Sequence, residues 1–372
     1  MLPVVVRSCF FMDRYCLTSI VYTQENDQDR GEGPDGMDST YWEDLEPGDA
    51  APESSFPISW RTLMIELVAT GDFMPYHYHP TYAQSLGMRG TFVNTPFYLC
   101  LFSRNVTDWL GPDCDVRSAI LQMLNQTVPG DVLRFSGRVT EKWEANGDCL
   151  VRLELALAHD LGVAATVNFV VAVPSRAHGR VQLRELPPMP EEILDPAMPD
   201  AARDLLGKKV VRQAPYPVSE AVIRHFAEMT RDENPLYADT DYARASRHGD
   251  MIAPLTGLTS LAVNAATQIG VDTDFPDPDL PDQPAWPFAI EKNQILNIRL
   301  PGTKDIIVQT TLQEYRIGWK RGDRVIETAQ LINCSGQKQT RRGPGYFMKF
   351  LREFHNDKGE LVGRATMTTL NY

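Results

Sequence analysis

Hydrophobic and polar positions along the chain predict the same order of elements twice. Serine N-caps at Ser59 and Ser219 each precede a short amphipathic helix. A longer apolar segment follows each short helix, at 92–110 and 255–269, and its length and composition predict a buried helix. The residues predicted to form the buried faces of the short helices are Leu63, Met64, Leu67 and Val68 in the first and Val222, Ile223, Phe226 and Met229 in the second.

After each long helix the pattern changes to the partial alternation of apolar and polar residues that is typical of antiparallel strands. A helix followed by a run of antiparallel strands indicates an α+β unit in which the sheet wraps around the buried helix. The sequence therefore predicts two such units. The strands are predicted at 118–125, 132–145, 149–160 and 163–174 in the first unit and at 293–300, 305–319, 324–334, 346–357 and 360–372 in the second.

The boundaries of these units follow from length and local composition. A chain of 372 residues is long enough for about two domains that each bury a core. The stretch at 183–200 contains five prolines and few aromatic residues, which predicts an extended linker. We therefore expect a first domain at 38–175, a linker at 176–207 and a second domain at 208–372. Residues 1–36 end in a polar, glycine-rich segment, and we expect a disordered extension or an artefact of start-site choice.

Charge and composition exclude several classes of function. Subtracting 49 acidic from 36 basic residues gives a net charge of −13, which argues against general nucleic-acid binding but not against a small anionic ligand. No apolar run approaches the ~20 residues needed to span a bilayer, so we expect no membrane insertion. The six cysteines form no Cys-x-x-Cys pair, as is typical of reduced thiols, and we expect a cytoplasmic protein.

The loop after each short helix carries a repeated motif at an offset of 160 residues. Asp72 and Asp232 occupy equivalent positions, but the position of His77 is taken by Tyr237 in the second copy. A carboxylate and an imidazole five residues apart across a proline-containing bend can face one ligand and transfer its protons. The alternative is structural, with Asp72 capping the loop and His77 a hydrogen-bonded, half-buried side chain. The other repeated pairs are Pro75 and Pro235, Tyr82 and Tyr242, and Ala83 and Ala243.

His77 and His79 also form a His-x-His pair, which is a possible metal-binding element. No further histidine, cysteine or carboxylate stands nearby at ligand spacing, so we expect no metal site. The chain contains no P-loop, no Gly-x-Ser-x-Gly motif and no His-Glu-x-x-His motif, and we expect no cofactor.

These residues resemble the MaoC-like, or hydratase-2, branch of the hot-dog fold, whose pattern is Asp-x-Asn-Pro-[Leu/Ile/Val]-His before a Tyr-Ala pair and a glycine-rich turn. Met74 departs from this pattern in the first copy, where the family has asparagine, and Tyr237 departs from it in the second. The second copy is similar to the FAS1-like dehydratase relatives of MaoC proteins. The first copy matches at Asp72, Pro75, His77, Tyr82, Ala83 and 87–90.

The resemblance implies a double hot-dog fold, in which two antiparallel sheets each wrap around a long central helix. It also implies hydration of 2-enoyl thioesters, or dehydration of 3-hydroxyacyl thioesters, usually of coenzyme A. The site would lie between the two hot-dog units of one chain, and the chain would form a homodimer or a heteromer with other hot-dog units. Two alternatives remain open: an acyl-CoA thioesterase and a non-catalytic acyl-binding subunit of a heteromeric dehydratase.

Roles for individual residues follow from the same resemblance. Asp72 and His77 would hold and deprotonate one water, and the backbone N–H of Gly90 would bind the thioester oxygen. An ordinary glycine turn and solvated surface arginines are the alternatives for the glycine and arginine candidates. The residues expected to contact the substrate are Gly87, Arg89, Tyr82, Asn234, Tyr237, Arg244 and Arg247.

Overall fold

The computed structural model describes residues 40–214, 216–263, 300–304 and 306–372, and the expectation for residues 1–36 lies outside these ranges. In the first half, one long helix packs against antiparallel strands. Asn94 caps this helix by accepting a hydrogen bond from the Phe97 N–H, and Pro96 follows in its first turn. The elements are β1 (Ser54–Pro57), α1 (Trp60–Thr70), α2 (Pro75–Tyr78), α3 (Pro80–Ser85), α4 (Thr95–Leu110), β2 (Asp115–Met123), β3 (Val132–Ala145), β4 (Asp148–His159) and β5 (Gly162–Ala172).

The second half repeats this order as far as it is described. The long helix predicted at 255–269 begins with a 3-10 turn, Leu255–Gly257, and a short α-helix, and its remainder lies outside the described ranges, as does most of the strand predicted at 293–300. The elements are α5 (Asp200–Arg203), β6 (Lys209–Gln213), α6 (Glu220–Thr230), α7 (Pro235–Ala238), α8 (Thr240–Ala245), α9 (Ser260–Val263), β7 (Ile306–Tyr315), β8 (Ile326–Cys334), β9 (Lys338–Thr340), β10 (Gly343–His355) and β11 (Leu361–Asn371).

The described strands form one antiparallel sheet in the order β1-β3-β4-β5-β2-β7-β11-β10-β8-β6, with β9 paired to β10. The five strands of the first half lie on one side of the β2–β7 junction. Ser118 to Leu121 pair there with Glu314 to Thr311. The α+β double hot-dog class is therefore confirmed, and the two predicted sheets join edge to edge into a single one because β2 and β7 supply each other's backbone partners.

The core lies between this sheet and the helices. Phe102 on α4 meets Phe135 and Phe169 of the sheet edge to face, with ring centroids 6.3 and 6.4 Å apart. Helix α1 packs against α6, and α4 packs against both α6 and the turn at Leu255–Gly257. The helices of the two halves therefore support each other directly.

Two of the four residues predicted to form the buried face of α1 are exposed instead. Leu63 and Leu67 are buried as expected, but Met64 and Val68 are 50% and 53% exposed. A helix rotates by about 100° per residue, so Met64 and Val68 lie roughly a quarter turn from the buried stripe. That stripe continues instead through polar residues, which are described with the site below.

The proline-rich linker is extended but does not cross free solvent, because it packs on the second half. Glu192 accepts a hydrogen bond from Asn333 Nδ2 at 3.0 Å and pairs with Lys349. Asp195 accepts one from the Gly336 N–H at 2.9 Å. None of the helices within the described ranges combines the length and apolar character that crossing a bilayer requires.

Candidate active site

Asp72 is positioned by the end of α1. Gly71 ends the helix with a φ of 67°, a left-handed conformation that glycine adopts without steric cost, and its N–H donates to the Leu67 carbonyl at 2.9 Å. The chain then turns away from the helix axis. The side chain of Asp72 is 24% exposed, so its carboxylate borders both the protein interior and solvent.

His77 lies on the single turn of α2, which begins at Pro75. Its ring is almost fully buried and packs at a steep angle against the stacked rings of Tyr76 and Phe92, with centroid distances of 4.5 and 4.9 Å. His77 Nδ1 lies 2.6 Å from the Phe92 carbonyl oxygen. Because a carbonyl only accepts hydrogen bonds, Nδ1 carries the proton, and the other nitrogen of the neutral ring is an acceptor.

That second nitrogen faces Asp72. The distance from His77 Nε2 to Asp72 Oδ2 is 3.5 Å. Burial lowers the pKa of His77, although the Asp72 carboxylate and the bond to Phe92 oppose this effect, so the neutral ring dominates at pH 7. The structure therefore brings together two acceptor atoms, and a water molecule beside them can donate one hydrogen to each.

Asn94 contacts the Asp72 carboxylate and links it to Thr70 and Glu66, and sequence reasoning missed all three residues. Asn94 Nδ2 donates to Thr70 Oγ1 at 2.9 Å and lies 3.4 Å from Asp72 Oδ2. The Asn94 N–H donates to Glu66 Oε1 at 2.6 Å. The Asn-Thr-Pro sequence at 94–96 signals a helix start, but no local pattern connects it to a loop 22 residues earlier.

The second copy of the motif has a different environment. Asp232 is 8% exposed, and burial raises its pKa to about 7. Tyr237 is 4% exposed, and burial raises the pKa of its phenol well above the ordinary value of 10. The Asn234 side chain caps α7 by accepting from the Leu236 N–H at 3.0 Å. This copy therefore pairs a weak acid with a phenol that keeps its proton.

The remaining candidates of the first copy lie near α3 and the loop that leads to α4. Tyr82 is partly exposed, and its N–H donates to His79 Nδ1 at 2.9 Å. Gly87 is exposed and has a φ of 80°. Gly90 is half-buried in the loop before Asn94, so its N–H is not part of the first turn of α4.

The three candidate arginines have different surroundings. The Arg89 guanidinium donates two hydrogen bonds to the Asp131 carboxylate, at 2.9 and 3.1 Å. The Arg247 side chain is 11% exposed and lies 3.2 Å from Asp115 Oδ1, and its contact with the substrate stays a prediction. This ion pair joins the two halves. Arg244 is 62% exposed and lies 3.6 Å from Asp241. Of the three, Arg244 is the most accessible to an anionic ligand.

Metal-ligating side chains do not cluster in the described part of the chain, where no group of three histidine, cysteine or carboxylate residues is arranged to hold an ion. Asp72 and His77 together provide two potential ligands, which is fewer than a protein metal site ordinarily uses. The arrangement is suited to proton transfer.

Comparison with known protein families identifies the second half. Residues 204–365 match the family described as FAS1-like, dehydratase domain region. A UPF0336 protein of Streptomyces coelicolor is 42% identical over 67 residues, or 18% of this chain and 45% of that protein. The "Probable enoyl-CoA hydratase alpha subunit" of Thermomonospora curvata is 25% identical over 162 residues, or 43% of this chain and 47% of that protein. The chain thus spans about half the length of these two relatives.

A third relative is matched over more of its length. The 3-oxo-4,17-pregnadiene-20-carboxyl-CoA hydratase beta subunit of Mycobacterium tuberculosis is 34% identical over 103 residues, or 27% of this chain and 77% of that protein. Among solved structures, a protein of Chloroflexus aurantiacus described as a MaoC domain dehydratase has a TM-score of 0.62 at 11% identity and covers 90% of this chain and 97% of its own. A conserved hypothetical protein of Mycobacterium tuberculosis with a double hotdog fold has a TM-score of 0.56 at 14% identity, covering 90% and 99%.

Fold and sequence together define a double hot-dog protein of the hydratase and dehydratase class. The chain belongs to the MaoC-like dehydratase family, and its second half is a FAS1-like dehydratase region.

Proposed function

We propose that this chain hydrates 2-enoyl thioesters, or dehydrates 3-hydroxyacyl thioesters, with Asp72 and His77 holding the reacting water. The observation that carries the proposal is the facing pair of acceptors, His77 Nε2 and Asp72 Oδ2, 3.5 Å apart. A neutral imidazole and a carboxylate both accept hydrogen bonds, so a water that donates to both is held with its oxygen lone pair directed away from them. That lone pair is free to attack carbon.

In the hydration direction, the water oxygen adds to Cβ while one of its protons passes to the dyad. The electron pair of the double bond moves toward the thioester carbonyl, and Cα then takes a proton from the dyad, so that no proton is gained or lost overall. Dehydration is the reverse. General acid–base catalysis by each positioned group contributes about 10²- to 10⁴-fold in rate.

The thioester oxygen becomes negatively charged during this reaction and needs hydrogen-bond donors. We assign them to the backbone of the loop that runs from Gly90 into α4. A Cβ added at Gly90 would meet Val128 Cγ1 at 4.0 Å, an ordinary contact. Gly90→Ala therefore folds normally and tests whether a ligand approaches this backbone. A raised KM or lowered kcat supports the assignment, and unchanged kinetics contradict it.

Coenzyme A is the proposed thioester carrier. The printed names of two relatives, an enoyl-CoA hydratase subunit and a carboxyl-CoA hydratase subunit, support this choice. Arg244 is the proposed phosphate contact because its side chain is 62% exposed. Tyr82, on α3, and Gly87, which follows that helix, lie just before the loop that runs from Gly90 into α4. Both remain proposed substrate contacts.

A heteromer is the proposed assembly, because these relatives are named as alpha and beta subunits. A purely non-catalytic role is less well supported, since this chain brings both dyad residues together. Activity of the purified chain alone would rule out that role. Activity that appears only with a second hot-dog chain would support a heteromeric enzyme.

The test is an ultraviolet assay of the thioester-conjugated double bond across a panel of enoyl-CoA esters. Asp72→Asn and His77→Ala are expected to lower turnover by about 10²-fold or more. His225→Ala, which removes a half-exposed histidine on α6, is the matched control and should keep wild-type turnover. Near wild-type turnover by either dyad variant would reject the proposal. Release of free thiol from saturated acyl-CoA would indicate a thioesterase instead.

A further inference from the structure

A fully buried carboxyl group lies directly behind the proposed dyad. Glu66, on the inner face of α1, has a relative exposure of 0%. One of its oxygens accepts the hydrogen bond from the Asn94 N–H at 2.6 Å. The other, Oε2, is buried and has no hydrogen-bond partner among the described residues. A buried acid without a cationic partner is costly, and its presence calls for a functional reason.

Asn94 connects this carboxyl group to Asp72. Its backbone is bonded to Glu66, and its side-chain amide reaches both Thr70 Oγ1, at 2.9 Å, and Asp72 Oδ2, at 3.4 Å. The same side chain accepts the Phe97 N–H bond that begins α4. Asn94 is 3% exposed, so solvent does not compete for these contacts.

We propose that Asn94 is a positioning residue for Asp72, and that Glu66 holds Asn94 in the orientation in which its amide reaches the Asp72 carboxylate. The proposal rests on the role given above to Asp72. The amide N–H fixes which carboxylate oxygen faces His77 and stabilises the charge of Asp72. Glu66 acts through Asn94 and takes no part in proton transfer.

Glu66 performs this role as a neutral acid. Burial raises the pKa of its carboxyl well above the ordinary value, and the negative charge of Asp72 adds to the effect. A protonated carboxyl still accepts the Asn94 N–H bond through its carbonyl oxygen. It does so without a second negative charge beside Asp72.

The repeat supplies independent support. At the 160-residue offset, Glu66 corresponds to Phe226 and Asn94 to Pro254, and Pro254 likewise precedes the first turn of its helical segment. Thr230, the counterpart of Thr70, is buried, and its hydroxyl has no partner among the described residues. The Glu–Asn pair therefore occurs in the copy that keeps the imidazole.

Asn94→Ser separates positioning from helix capping, because serine remains a good N-cap residue but lacks the amide that reaches Asp72. We expect a loss in kcat of about 10- to 100-fold, the worth of one hydrogen bond to a charged group, with little change in KM. The matched control is Asn105→Ala, which removes another buried asparagine of α4 that donates to the Leu101 carbonyl. It should lower stability and leave kcat unchanged.

A double-mutant cycle with Asp72→Asn tests whether Asn94 acts through Asp72. In the Asp72→Asn background, Asn94→Ser should change the residual rate by less than about twofold. If the two losses multiply, or if Asn94→Ser alone keeps wild-type kcat, the inference fails while the proposed function stands. If Asp72→Asn itself is fully active, the proposed function fails first.

Glu66 is tested with a pair of variants. Glu66→Gln keeps a neutral acceptor for the Asn94 N–H and should retain kcat within about threefold, whereas Glu66→Leu should lose activity as Asn94→Ser does. Circular dichroism and urea denaturation confirm that each variant is folded. Equal loss of activity in the glutamine and leucine variants would mean that the carboxyl group itself transfers a proton, which overturns the positioning role.

Discussion

Asp232→Asn is expected to stabilise the protein above neutral pH. Burial raises the pKa of Asp232 from 3.8 to about 7, so the native state keeps a proton that the unfolded chain releases. Below pH 3.8 both states are protonated and the group has no effect on the free energy of unfolding. As the pH rises from there to about 7, the native protein loses stability with respect to this group, and above 7 the loss is complete.

The size of the effect follows from the same pKa values. One unit corresponds to about 1.4 kcal/mol, so a rise from 3.8 to about 7 sets a penalty of about 4 kcal/mol at pH 8. Asparagine keeps the side-chain oxygen that accepts the Asn234 N–H bond at 3.0 Å. The variant therefore removes the titration and retains the hydrogen bond.

The assay is urea denaturation between pH 4.5 and 8, followed by the fluorescence of buried tryptophans such as Trp319. The difference in unfolding free energy between Asp232→Asn and the wild type should grow in favour of the variant up to about pH 7 and then level off. Asp241→Asn makes the same chemical change on an exposed side chain of α8 and controls for the substitution itself. A difference that is constant with pH, or that favours the wild type at pH 8, would refute the reasoning.

Three further outcomes are expected. Arg247→Ala should destabilise the protein by about 3 kcal/mol in thermal or urea unfolding, because Asp115 is buried and would keep only Arg117 as an ion-pair partner among the described residues. The acid limb of kcat/KM should fall below pH 6.5, because burial lowers the pKa of His77 and protonation below that pKa removes the Nε2 acceptor; an acid limb above 6.5 would contradict this. Phe102→Ala should cost about 3–5 kcal/mol of unfolding free energy, because the ring is fully buried in the core beneath the sheet.

Local patterns were sufficient to predict most of the fold. The side chains of the N-cap residues Ser59 and Ser219 each accept a hydrogen bond from the backbone N–H of the third residue of the following helix, as the capping pattern predicts. The strand predicted at 132–145 has these bounds in the structure, because β-branched alternation and the adjacent turns depend on residues close in sequence. The β2–β7 junction was not predictable, since strand pairing depends on contacts across the whole chain.

The candidate site was predictable only where the motif is contiguous. Asp72 and His77 are five residues apart, and the loop between them brings their side chains together. Glu66 and Asn94 lie 28 residues apart, and neither stands in a pattern that indicates a buried polar contact. The local sequence around Arg247, three residues after Arg244, predicts a surface arginine. Its burial against Asp115 depends instead on how the two halves meet.

The divergence of the two copies has a physical explanation in what each loop now contacts. Asp232 and Tyr237 are buried, and the nearby Thr256 hydroxyl donates to Cys100 Sγ on α4 at 3.6 Å, so the second copy packs against the long helix of the first. A phenol whose pKa lies above 10 keeps its proton at neutral pH, and Tyr237 therefore cannot take a proton from water as a neutral imidazole does. Restoring histidine at that position would not by itself create a second site, because Pro254 offers no N–H for a carboxyl group and Phe226 offers no carboxyl group. The second copy thus lacks both the imidazole and the polar residues behind it, and its loop packs against α4.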